Sequence, residues 1–144
     1  MRRSSKSRPA GIRPDHVGVS VADLDESVAW YCDNLGFKLL RVVDIPEAEE
    51  EGRVALLENG DFIIELFCLP GASPLPDHRR YPTTDILTHG VKHVACAVSD
   101  LNALMVDLKA KGVDVVWDIP VHDNTRCAFV RDNTGNLVEF VERA

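Results

Sequence analysis

The nine residues HVACAVSDL at positions 93–101 decide the fold, because the chain contains a second version of them. Residues 16–24 read HVGVSVADL, and five of the nine positions are identical at a constant offset of 77 residues, the distance from His16 to His93. In both stretches the alternation of valines with other residues predicts a strand, and the Asp-Leu that follows predicts the start of a helix. The repeat therefore indicates two copies of one module, each opening with a histidine on a strand.

The remainder of each copy follows the same order. Residues 24–35 and 101–111 have the apolar spacing of a helix, and a glycine, Gly36 or Gly112, closes each one. The strands predicted in the first copy are 12–22, 37–44, 53–58 and 62–69, and those in the second are 91–99, 113–117, 125–131 and 137–142. We therefore predict an α+β fold of two tandem βαβββ modules.

The boundaries of the modules follow from composition. Residues 1–11 are basic, Ser-rich and without apolar periodicity, which predicts a flexible N-terminal tail. Residues 12–144 are predicted to form a single domain, with module one at 12–69 and module two at 91–144. The segment between them, 70–90, is rich in proline and long for a connection, which favours an interaction loop or a lid.

Charge and composition exclude several classes of partner. The net charge of −7 argues against nucleic acid, whose phosphates require a basic surface. No apolar run is long enough to cross a membrane, and no apolar signal core is present at the N-terminus. The four cysteines are scattered without a C-x-x-C pair, which is typical of reduced core residues. We predict a cytoplasmic protein that binds neither nucleic acid nor membrane.

Each module carries one histidine near its start and one glutamate in its last strand. The histidines are His16 and His93, and the glutamates, Glu65 and Glu139, lie inside apolar strands, where an unpaired carboxylate is costly. The four side chains suit a divalent metal ion such as Zn²⁺, Ni²⁺, Co²⁺, Mn²⁺ or Fe²⁺. We predict that they hold such an ion as a pseudo-symmetric set. The histidine face of each first strand is otherwise small, which predicts a cavity beside the ion.

These residues resemble the vicinal oxygen chelate superfamily, which includes glyoxalase I, methylmalonyl-CoA epimerase, extradiol dioxygenases, and fosfomycin- and bleomycin-resistance proteins. The resemblance covers about residues 13–141, and its matching motifs are His16 to Val21 with Asp23-Leu24, Trp30-Tyr31 before Leu35-Gly36-Phe37, His93-Val94 with Val98 and Asp100, and Asp132 through Gly135-Asn136-Leu137 to Glu139. It implies a cup-shaped mixed β-sheet with the helices packed outside. It also implies metal ligands at His16, Glu65, His93 and Glu139.

The ligand set resembles that of bacterial glyoxalase I and related isomerases and epimerases, although the epimerases usually have Gln where Glu65 stands. The resemblance implies a metal-dependent lyase or isomerase that transfers a proton on a small-molecule substrate, with Glu139 or Glu65 as the catalytic group. One alternative is an Fe(II)-dependent dioxygenase that uses His16, His93 and Glu139. Another is a protein that binds a small molecule without catalysis. The family commonly dimerises, and we expect a homodimer.

Other polar side chains leave two interpretations open. Arg53 and Arg126 either form surface ion pairs or hold a carboxylate or phosphate of the substrate. His78, His89 and His122 are interpreted as solvated loop residues, and the last two could also border the pocket.

Overall fold

The computed structural model describes residues 11–45, 51–122 and 124–144. Its elements are β1 (His16–Ser20), α1 (Leu24–Leu35), β2 (Lys38–Asp44), β3 (Arg53–Asn59), β4 (Phe62–Cys68), α2 (Pro82–Asp85), β5 (Val94–Ala97), α3 (Leu101–Ala110), β6 (Asp114–His122), β7 (Thr125–Arg131) and β8 (Leu137–Arg143). The predicted tail, apart from Gly11, lies outside the described residues, and so do residues 46–50. In the described part no helix combines the length and the hydropathy needed to cross a membrane.

The strands form two four-stranded sheets with the same topology. Their orders are β1-β4-β3-β2 and β5-β8-β7-β6. The strand that opens each module is parallel to the strand that closes it: β1 pairs with β4, and β5 pairs with β8. The other neighbouring strands are antiparallel. A parallel pair needs a crossover connection, which the helix of each module provides. The predicted α+β fold of two βαβββ modules is therefore confirmed.

Both long helices begin with the capping interaction that the repeated Asp-Leu predicts. The side chain of Asp23 accepts from the backbone N–H of Glu26, and that of Asp100 accepts from Ala103, each at 2.9 Å. Such caps stabilise a helix because they satisfy backbone donors that have no partner within it. At the end of α1, Gly36 adopts φ 71°, a left-handed conformation that favours glycine.

The valines of the repeated strand face the apolar interior. In β1, Val17 and Val19 are half-buried, whereas the intervening residues and His16 are exposed, as the alternation predicts. Buried side chains from both sheets and both long helices form one continuous apolar cluster. Because burial of apolar surface is the main stabilising force, the two modules fold around a shared core.

A turn of module two docks on module one. Asp132 is buried, and its carboxylate accepts from the Tyr31 hydroxyl at 2.9 Å and from three backbone N–H groups of the turn at 133–136. Asn136 donates to the carbonyl of Ser20 at 3.0 Å. Burial, together with the negative charge of Asp132, raises the pKa of Tyr31 well above its ordinary value. The tyrosine therefore stays a neutral donor.

The connecting segment and the strand after it differ from the prediction. Residues 77–80 form a 3-10 helix that leads into α2, so the segment is more ordered than a loop. The predicted strand 91–99 is shorter, because β5 begins only at Val94 and His93 precedes it. Residues 91–93 are instead linked to the connecting segment by side-chain hydrogen bonds. Arg79 donates to the carbonyl of Val91 at 2.7 Å, and Lys92 donates to carbonyls of α2 and of the turn after it.

Asp85 is the centre of this arrangement. It is 1% exposed, and one carboxylate oxygen accepts from Arg79 Nε at 2.9 Å and lies 3.2 Å from Lys92 Nζ. Its other oxygen has no hydrogen-bond partner among the described residues. Burial alone would raise the pKa of Asp85, but the hydrogen bonds and charges of Arg79 and Lys92 outweigh it and lower that pKa. A buried carboxylate thus holds the segment that leads to His93.

Asp85→Asn is expected to lower the free energy of unfolding by about 2–3 kcal/mol at pH 7, because two cations lose their counter-charge. A lowered pKa means that this stabilisation is present above the ordinary aspartate pKa of about 3.9 and is lost as the pH falls through the folded-state pKa. Urea unfolding should therefore show the difference at pH 7 and a smaller one below about pH 4. As a control, Asp107→Asn removes an exposed ion pair with Lys111 and should cost about 1 kcal/mol or less.

Candidate metal centre

The first predicted ligand pair lies on the exposed face of module one. His16 Nε2 is 3.0 Å from Glu65 Oε2, while its Nδ1 is 2.7 Å from Asp15 Oδ2. The hydrogen bond to Asp15, reinforced by the charge of Glu65, raises the pKa of His16. A carboxylate on the far ring nitrogen is the usual support of a histidine ligand, since it fixes the ring and directs the other nitrogen. The sequence argument did not anticipate Asp15 in this role.

The second pair repeats this geometry in module two. His93 Nε2 is 2.9 Å from Glu139 Oε2. Here the ring is supported by packing instead, because the Phe129 ring meets the His93 ring edge-on at a centroid distance of 5.0 Å. The two glutamate side chains are 23% and 18% exposed, so both pairs lie at an open surface.

The donors of each pair fit a divalent metal ion. Two adjacent ligands of an octahedral ion with bonds of about 2.1 Å are about 3.0 Å apart. The His–Glu nitrogen–oxygen distances of 3.0 and 2.9 Å are therefore compatible with a hydrogen bond and also with two neighbouring ligands of one ion. Imidazole nitrogen and carboxylate oxygen are donors that Zn²⁺, Ni²⁺, Co²⁺, Mn²⁺ and Fe²⁺ accept.

A single chain does not bring the four predicted ligands together. Across residues 11–45, 51–122 and 124–144, no three His, Cys, Asp or Glu side chains gather closely enough to hold an ion. The structure thus places two half-sites, His16 with Glu65 and His93 with Glu139, on separate sheets. Because two donors hold an ion weakly, each half-site is incomplete by itself.

Small residues leave space beside each glutamate. Gly18 is paired in register with Glu65, and Ala95 is paired with Glu139. A Cβ atom at Gly18 would lie 2.8 Å from the ring of Phe67, so this glycine allows the ring to cover the strand next to Glu65. The small histidine face predicted from the sequence is therefore observed in both modules.

Module two adds an aromatic wall to its half-site. Glu139 is paired with Phe129, and Phe129 is paired with Trp117 on the next strand, so the three side chains share one face. The Trp117 and Phe129 rings stack at a centroid distance of 6.0 Å, and Trp117 is 40% exposed. Burial and the neighbouring charge of Glu139 raise the pKa of Cys127 on the same sheet. The wall gives Glu139 apolar neighbours on one side.

The remaining polar candidates lie away from both half-sites or are already paired. Arg126 donates to the Asn102 side chain at 2.6 Å and lies 3.9 Å from Glu142, which favours the surface-pair interpretation. Arg53 is exposed at the start of β3. His78 belongs to the 3-10 helix, His89 is exposed, and the His122 side chain lies outside the described part of the chain.

Comparison with known proteins identifies the family of the chain. Residues 13–140 match the family described as Glyoxalase/Bleomycin resistance protein/Dioxygenase superfamily. A lactoylglutathione lyase of Haemophilus influenzae is 30% identical, over 88% of this chain and 90% of the relative. The lactoylglutathione lyase GLX1 of Arabidopsis thaliana is 34% identical over 89% of this chain, but the aligned region spans only 43% of that protein.

Solved structures give the same result. The crystal structure of glyoxalase I from Zea mays superposes with a TM-score of 0.70 at 30% identity, covering 92% of this chain and 45% of that one. The chain therefore spans less than half of the maize and Arabidopsis proteins. On the family match, the relatives and the paired βαβββ modules, the chain belongs to the Glyoxalase/Bleomycin resistance protein/Dioxygenase superfamily.

Proposed function

We propose that this protein is a metal-dependent lyase or isomerase of the glyoxalase and epimerase type, acting in the cytoplasm on a small molecule with adjacent oxygens. The observation that carries the proposal is the pair of equivalent His–Glu contacts, at 3.0 Å in module one and 2.9 Å in module two. Relatives named lactoylglutathione lyase support the reaction class.

The chemistry follows from the donors and their surroundings. A divalent ion held by His16, Glu65, His93 and Glu139 would supply Lewis acidity, which would polarise a substrate carbonyl and make the proton on the neighbouring carbon more acidic. The Glu139 carboxylate, through the oxygen that does not face His93, takes the proton from that carbon and returns it to the same carbon in an epimerase or to the adjacent carbon in an isomerase, beside the apolar rings of Phe129 and Trp117. Glu65 completes the ligand set, with Gly18 and Ala95 leaving room for substrate.

We further propose that the site is completed by a second copy of the chain. A homodimer that sets module one of one copy against module two of the other gathers all four ligands twice, as two-fold symmetry requires. Exposed apolar side chains support such pairing: Leu39, Leu40, Val42 and Val43 on β2 are each at least 40% exposed. β2 lies at the edge of its sheet, and an edge strand with exposed apolar side chains normally needs cover.

Complementation tests the two-chain site. His16→Ala and His93→Ala are each expected to be inactive alone, but a heterodimer of the two contains one intact site. Random co-assembly should therefore restore about a quarter of wild-type activity. The control pairs His16→Ala with Glu65→Ala, which damage the same module and should restore nothing. Failure of the first mixture to recover activity, or a sedimentation mass near the 15.9 kDa of one chain, would contradict the dimeric site.

Elemental analysis and isotope exchange test the reaction class. The purified protein should contain Ni²⁺, Co²⁺, Zn²⁺ or Mn²⁺ and should exchange substrate protons with solvent deuterium. The substrates to compare are α-hydroxyketones, acyl-CoA thioesters and glutathione hemithioacetals. Oxygen-sensitive Fe²⁺ with oxygen consumption would indicate the dioxygenase alternative instead. Ligand binding without metal or turnover would indicate a binding protein.

A further inference from the structure

A cleft of about 630 Å³ lies between β1, the connecting segment and the residues that lead into β5. Its size is that of a site for a small molecule, typically about 300–1,000 Å³. Three cationic side chains border it, namely Arg79, Arg80 and Lys92, and His93 lies at the same cleft. None of the described residues that line the cleft carries a carboxylate, although the whole chain has a net charge of −7. The cleft is therefore a local concentration of positive charge in an acidic protein.

Arg80 differs from the other two cations. Arg79 and Lys92 both bond to Asp85, so their charges are partly neutralised. The Arg80 guanidinium is half-buried, and among the described residues it forms neither an ion pair nor a hydrogen bond; only its backbone carbonyl does, by accepting from Arg131. Because the five guanidinium donors of Arg80 have no partner among the described residues, they are available to an anion in the cleft.

A glycine keeps Arg80 in this place. Gly135, in the turn before β8, has φ 106°, and a Cβ built on it would lie 2.7 Å from Arg80 Nη1. Any other residue would push the guanidinium away. The Arg80 guanidinium therefore lies against the turn that Asp132 organises, in a space that only a glycine at position 135 leaves open.

We infer that this cleft binds an anionic group of the substrate, a carboxylate or a phosphate, through the guanidinium of Arg80. The inference rests on the proposed function for its link to catalysis, because His93, one of the four proposed ligands, is among the residues that line the cleft. An anion fixed at Arg80 would orient the rest of the substrate toward that histidine. Both candidate anions suit the bidentate geometry of arginine.

The test measures anion binding to the full-length chain after its metal has been removed with a chelator. Inorganic phosphate and acetate are titrated separately at constant ionic strength, by calorimetry or by the NMR shift of the arginine Nε–H groups. We expect one of them to bind to wild type and Arg80→Gln to weaken that binding roughly 10- to 100-fold, the value of a charged hydrogen-bonded contact. The anion that binds identifies the chemistry of the substrate group.

Arg126→Gln is the matched control, because Arg126 lies outside the cleft and already bonds to Asn102, and it should bind as wild type does. If Arg80→Gln proves unstable in thermal unfolding, Arg80→Lys replaces it in the titration. This variant keeps the charge and should bind the anion with part of the wild-type affinity. Equal binding by wild type and Arg80→Gln, or no binding of either anion to wild type, overturns the inference. Loss of dimerisation in Arg80→Gln with unchanged anion binding overturns it as well. Because the chain is metal-free, none of these results depends on whether the proposed metal chemistry is correct.

Discussion

His93→Ala is expected to lose most of the metal that the wild-type protein binds. The ion would keep Glu139 and the pair from module one, and three donors hold it less well than four. Removing residues that only support a ligand typically lowers metal affinity about 10- to 100-fold, so the loss of a ligand itself should cost at least that much. The measurement is metal per chain by elemental analysis after dialysis at a fixed free-metal concentration.

His78→Ala provides the comparison. His78 is an exposed histidine of the 3-10 helix, outside both half-sites, and its loss should leave the stoichiometry unchanged. Asp15→Asn should lie between the two, because the carboxylate holds the His16 ring without contacting the ion. Unchanged stoichiometry in His93→Ala would rule out the four-residue metal site.

The repeat is why so much of the fold could be predicted. His16 opens β1 and His93 directly precedes β5, and the residues that follow the two histidines share one pattern, so both copies predict the same elements. Strand alternation also predicted that His16 and Gly18 share one face of the first strand, and both are exposed between half-buried valines. Successive side chains of a strand point to opposite faces of the sheet, so the face of each residue can be predicted from its position in the sequence.

Assembly of the site could not be predicted in the same way. Nothing in the alternation of residues tells whether the two histidine faces meet within one chain, because that depends on how whole sheets are oriented. The position of His93 before β5 depends on Arg79, Asp85 and Lys92, whose interactions join a helical segment to a strand. Arg80 was missed for a related reason: the pair Arg79-Arg80 is visible in the sequence, but only the structure shows which of the two already has a partner.

The two glutamates are expected to differ in function although they occupy equivalent places. Glu65→Gln keeps the shape of the side chain and one ligand oxygen, and the epimerases that this chain resembles usually have glutamine there. It should retain metal and measurable proton exchange. Glu139→Gln should retain some metal but lose exchange at the substrate carbon by roughly 10²- to 10⁴-fold, the contribution of a positioned base. The measurement is deuterium uptake from solvent into substrate, with metal occupancy determined on the same samples.

The structure gives the reason for choosing Glu139 as the base. Phe129 and Trp117 cover one side of its carboxylate, whereas Glu65 shares its pair with a histidine that Asp15 already binds. If Glu139→Gln exchanges protons as fast as wild type at equal metal occupancy, Glu139 is only a ligand and Glu65 becomes the next candidate. A dioxygenase would instead show no exchange in either variant, and its oxygen consumption would survive Glu65→Gln, because its ligands are His16, His93 and Glu139.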